Sequence, residues 1–209
     1  MARDDWFRNT TWSPEIEAAF FERLRRSQDK SQYLRIQAST LAKVNPDVAL
    51  RLLDHYFALG ENIAMAQAHA DRAEAYLAKG DVAAAVEAFE AALIRERAYP
   101  RWLTRTYLEL PYLIAVRRLS ERYAQALGIL EINKGMLAFP VDHYLWNGAH
   151  ALILSHQGKD SDAKAFAEVA LTAASETQSA FRYHQKIGLV GTAYDEFGER
   201  VQAIAGTSH

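Results

Sequence analysis

The chain has no cysteine in 209 residues, which excludes disulfides, thiol nucleophiles and cysteine-ligated zinc or iron–sulfur centres. It has no basic excess. A net charge of −2 and a pI near 6.4 argue against a general nucleic-acid binder, which needs a cationic face to displace counterions from phosphates. It has no long apolar run, because the alanine-rich stretches are broken by Glu87, Glu90 and Lys164, so no membrane span is expected. The opening MARDDWFRNT lacks a basic region followed by an apolar one, so it does not read as a signal peptide, and a cytoplasmic location is expected. Phosphate-cradling chemistry is missing as well. Gly158-Lys159 lacks the upstream glycine of a P-loop, and neither a Gly-x-Gly-x-x-Gly fingerprint nor a Gly-x-Ser-x-Gly elbow occurs.

What remains is a folding composition, 50% apolar and 24% charged, in a chain long for one compact domain and short for two. The clearest pattern is Ala66–Tyr99. Two amphipathic helices are joined there by Lys79-Gly80-Asp81, with small residues at Ala73, Ala85 and Ala92 and large ones at Tyr76, Phe89 and Leu93. Alanines let two helix backbones approach while the larger side chains fill the space beside them, as a helical hairpin requires.

Before this hairpin, Ser13-Pro14-Glu15 starts a helix, with Ser as N-cap, Pro in the first turn and Glu15 and Glu17 at the positive dipole end. Its apolar stripe is Ile16, Phe20 and Leu24. The basic cluster Arg23, Arg25, Arg26 and Lys30 complements the other end of that dipole. A second helix is expected over about 31–42. A third follows the Asn45-Pro46-Asp47 turn and stops at Gly60. After the hairpin, one helix kinked at Pro111 is expected over about 101–119. Ser120 caps the next, in which Gly128 and Gly135 lie on one face and permit a close approach. Helices to about Gln157 and over about 161–174 flank a turn at Gly158. An irregular segment follows from Ser175, then a terminal helix over 192–205 with Tyr194, Phe197, Val201 and Ile204 as its stripe.

Ala73, Tyr76, Gly80, Ala85, Phe89, Ala92 and Leu93 resemble a tetratricopeptide repeat (TPR), with His69 where the repeat has Trp and Pro100 closing it late. The resemblance implies an all-α, TPR-like α-solenoid in a single domain. Its hairpins fall at about 30–63, 66–99, 107–140 and 144–177, with capping segments 1–29 and 178–209. The turns fall at Val44, Gly80, Glu121 and Gly158, spaced 36, 41 and 37 residues apart. WFRNTTW at the start, DKSQYLRIQA at Asp29–Ala38 and FRYH at Phe181–His184 also look like a group of bacterial TPR-containing proteins of unknown function.

In such arrays the first helix of each hairpin lines the inner face. The resemblance therefore implies partner contacts at Gln67, Glu74, Leu77, Arg118, Leu145 and His156, whereas Leu34 and Leu41 read as core. The set is mixed in charge, which favours a mixed apolar–polar peptide or protein partner over one held by its C-terminal carboxylate. A secondary patch is Trp6, Arg8 and Trp12 with Arg182, Tyr183 and His184. The aromatics among these read first as caps folded over the ends of the stack, since exposed rings there invite association. No metal or cofactor site is expected. His143 and His150 sit seven apart on one helix, about 10 Å between tips, too far to share an ion without a third element. The leading reading is a non-catalytic interaction scaffold. The alternatives are an immunity-type inhibitor of a toxin, and an enzyme or small-ligand sensor with a pocket built from Trp6, Trp12, Tyr183 and His184.

Overall fold

A computed structural model describes residues 5–179, 181 and 183–206. Among these are ten α-helices and no strand. They are α1 Pro14–Arg26, α2 Lys30–Leu41, α3 Pro46–Phe57, α4 Met65–Ala78, α5 Val82–Ala98, α6 Thr106–Arg117, α7 Tyr123–Ile132, α8 Pro140–His156, α9 Asp160–Ala174 and α10 Asp195–Ala205. The chain divides into two units, Met1–Thr106 and Tyr107–His209.

In the first unit local chemistry sets the helix starts. Ser13 Oγ accepts from the Ile16 amide at 3.3 Å with Pro14 behind it, and Asp29 and Asp81 cap α2 and α5 through the Gln32 and Ala84 amides. Helices α2 and α3 pair, α3 packs on α4, and α4 pairs with α5. Ala68, Ala73, Ala75, Ala85 and Ala92 are fully buried, so the α4–α5 backbones lie close with Phe89 filling the seam. Residues 6–12 close the other end. Trp6 packs against Phe20 and Tyr33, and Trp12 against Phe20, with its indole N–H donated to Glu17 at 2.8 Å.

In the second unit α8 is almost wholly buried and pairs with α9, while α10 lies on both. The Trp146 indole donates to the Leu130 carbonyl at 2.9 Å, tying α8 to α7. Close approach falls at Gly148, where a Cβ would sit 2.5 Å from the Phe197 ring. Gly128 and Gly135 have nothing near them and permit no such approach, which corrects the expectation.

The helix expected from residue 101 starts only at Thr106, although it does continue through Pro111. The reason is long-range. The buried Glu96 carboxylate accepts from both the amide and the hydroxyl of Thr104, holding 99–105 as a loop. A short 3-10 turn at Lys134–Met136 follows α7.

Three helix ends share one mechanism. At Gly80, Arg118 and Gly158 the chain enters the left-handed region (φ 77, 55 and 72°), and the next amide bonds a carbonyl five residues back, Asp81 to Tyr76, Leu119 to Ile114 and Lys159 to Leu154. Arg118, not Glu121, thus occupies the position that corresponds to the two glycines. The 42–45 turn is different, with Asn45 bonding the Leu41 carbonyl and no left-handed residue.

Candidate functional site

Leu34, Ala38 and Leu41 turn one face of α2 into the core, which leaves Arg35, Ser39 and, beyond the helix end, Lys43 on a neighbouring face at spacings of four. From α4 the same surface receives Gln67, Asp71 and Glu74, again at helical spacing. Asp71 is 6% exposed. Its carboxylate takes Arg35 Nη1 at 3.1 Å on one oxygen and Gln67 Nε2 at 3.1 Å on the other. Burial raises its pKa, against the opposing pull of Arg35, Gln67 and the Ser39 hydroxyl. Lys43 pairs with Glu74 at 3.1 Å in a far more exposed position.

The N-terminal segment supplies the rim. Gln37, wholly buried, accepts from the Asn9 amide and side chain at 2.9 Å each and donates to the Asn9 carbonyl at 2.8 Å. One side-chain amide therefore satisfies both backbone groups of Asn9, and this places Arg8 at the same rim as Arg35. Two open depressions result. One of about 310 Å³ is lined by Arg8, Arg35, Ile36, Ser39 and Thr40. Another of about 270 Å³ is lined by Ser39, Thr40, Ala42, Lys43, Asp71 and Glu74. They share Ser39 and Thr40 and so adjoin as a shallow groove along α2, with α4 bounding its second half.

Of the expected contact residues, Glu74 lines this groove, Gln67 supports it through Asp71, and Leu77 is half-buried further along α4. Arg8, expected in a secondary patch, joins it. Trp6 and Trp12 do not. Trp6 borders a separate depression of about 250 Å³ with Asn9, Ile16, Ala19, Phe20 and Arg23, smaller than a typical small-ligand pocket.

Arg118, Leu145 and His156 belong to the second unit. Leu145 is 2% exposed and is core, so its expected contact role is corrected: its side chain never reaches the surface. His156 Nδ1 lies 2.7 Å from the Tyr123 hydroxyl, and its pKa is lowered by burial and by the charges of Arg118 and Arg200. Arg200 donates to the Val116 carbonyl at 3.0 Å. These cations gather at the C-terminal ends of α6 and α8, where dipole complementarity accounts for them. Tyr183 and His184 lie in the segment before α10, both exposed, and Arg182 lies outside the described residues. That segment is anchored by Gly188, whose carbonyl accepts from Val141, and by Phe181 stacked on Phe139.

Asn9, Arg35, Gln37, Ser39, Thr40 and Asp71 were missed by the sequence reading. A carboxylate amid alanines in AHADRAEA was the available signal for Asp71, since a charge on a buried helix face implies a partner. The Asn9–Gln37 knot spans 28 residues and leaves no local trace.

Among the described residues, no group of three or more His, Asp or Glu could hold a metal ion, and no helix is long and apolar enough to cross a membrane. No family model, curated protein or solved structure matches the chain.

Proposed function

We propose that the chain is a TPR-like helical-repeat scaffold without catalysis, and that the α2–α4 groove of its first unit binds a peptide or protein partner. The observation that carries this is the groove itself: two open depressions meeting at Ser39 and Thr40 and lined by charged side chains. Open surfaces bearing charged side chains suit association with another chain better than they suit enclosing a small molecule. The turn shared by Gly80, Arg118 and Gly158 supports the repeat reading, because one backbone device recurs between successive helix pairs.

A photocrosslinking side chain placed at Ser39, with a control at the exposed Glu87 of α5, tests the proposal in lysate of the native host. A discrete protein adduct at Ser39 alone is the expected result. Equal labelling at both positions, or labelling only at Glu87, would contradict it.

A further inference from the structure

The groove is not uniform in charge. Its first depression is lined by two cations, Arg8 and Arg35, and by no carboxylate. The second carries Asp71 and Glu74 against the single cation Lys43. The groove is therefore dipolar, with Ser39 and Thr40 between its two ends.

The charges at either end are held loosely enough to change partners. Arg8 lies 3.9 Å from Asp5, both more than half exposed. The Lys43 side chain is 79% exposed and that of Glu74 is 35% exposed. Exposed pairs of this kind contribute little to stability, so an incoming charge displaces them at small cost. Arg35 and Asp71 are different. They are bonded to each other and much less exposed, and they fix the position of the boundary between the two ends.

The separation follows from helix geometry. Arg35 and Lys43 are eight residues apart, so with a rise of 1.5 Å per residue the two ends lie about 12 Å apart along the α2 direction. An extended peptide advances about 3.3 Å per residue and covers that distance in three or four residues.

Resting on the groove reading above, we infer that the partner presents an extended segment carrying one acidic and one basic side chain, three or four residues apart. The acid lies over Arg8 and Arg35. The base lies against Glu74 and takes the place of Lys43, while Asp71 stays bonded to Arg35 and Gln67. Ser39, an exposed residue at the waist, lies beneath the peptide backbone between them. Opposite charges in one order select both the partner and its direction along the groove.

The test uses the full chain and four sets of short fluorescent peptides. One has Asp before Lys at that spacing, one has Lys before Asp, and two carry the same charge at both positions. Anisotropy titration of wild type should show one mixed order binding at least about tenfold more tightly than either same-sign set, as expected for paired charges in a groove. The double variant Arg8→Glu, Glu74→Lys, which changes two solvent-reaching side chains, should shift the preference to the opposite order. Ser39→Trp should abolish binding of every set. If binding is lost with Ser39→Trp but ignores charge order, this inference falls and the groove remains. If no set binds, or binding survives Ser39→Trp, the groove reading falls with it.

Discussion

The two units join their elements in different ways. In the first, rings meet as well, Phe21 on His55 and Phe57 on His69, but neighbouring elements are also linked across their surfaces by opposite charges. Glu17 meets Arg51, Asp47 meets Lys79, Asp54 meets Arg72, Glu61 meets Arg95, and Arg35 meets Asp71. In the second, the links are rings and close backbones. His150 stacks on Phe166 and lies tilted against Trp146, Tyr112 and Tyr144 meet Phe197 edge-on, and Phe197 lies against Gly148. A charged seam leaves polar groups at the surface that can exchange partners, whereas a packed aromatic seam does not. The candidate groove lies in the unit with the charged seam, and α8 of the other unit is nearly all core.

The two largest effects, similar in size, should come from the packed seam and from the polar knot of the first unit. Gly148→Ala places a methyl 2.5 Å from the Phe197 ring, and overpacking at such a contact should cost about 1–3 kcal/mol in a chemical denaturation experiment. If α10 shifts aside without loss, the second unit is more pliant than the comparison holds.

Next is the polar knot of the first unit. Gln37→Ala leaves the Asn9 amide and carbonyl without partners and should cost about 1–3 kcal/mol. It should also free Arg8 from the groove rim. Unchanged stability would mean that water replaces the side-chain amide.

A pH experiment sharpens the contrast further. His69, packed on Phe57, has its pKa lowered to about 4 by burial first and then by Arg72 and Arg95. The folded state then binds fewer protons than the unfolded state between pH 4 and 6.5. The stability contributed by neutral His69 is therefore complete above 6.5 and is lost as pH falls toward 4. Asp71 acts in the opposite sense, because its raised pKa makes the folded state the better proton acceptor and acidification relieves its burial. Comparing wild type with His69→Phe isolates the histidine, and the variant should decline less between pH 6.5 and 4.

The smallest effect should be a gain. Arg118→Gly removes the cost of a side chain in the left-handed region and should stabilise by about 0.5–1 kcal/mol in thermal melts.

Where structure follows from neighbouring residues, the sequence was readable. Ser13-Pro14, Asn45-Pro46 and the glycine turns at Gly80 and Gly158 mark element ends through local chemistry, and the alanine seam of α4–α5 follows from its spacing. The start of α6 was not readable, because Glu96 sets it from the end of the preceding helix. The turn at Arg118 was not readable either, because arginine seldom adopts the conformation that glycine signals. For the groove, the α4 face emerged through Gln67 and Glu74. The α2 face did not, since Leu34 and Leu41 show where the core lies, and only packing shows that Arg35 and Ser39 meet Asp71.

The central claim is that a partner occupies the α2–α4 groove. Hydrogen exchange of the full chain, read with and without the partner recovered by crosslinking at Ser39, tests it most directly. The account expects new protection concentrated in residues 35–43 and 67–77, with the segment before α10 unchanged. Protection confined to residues 183–190, or to α8 and α9, would contradict it.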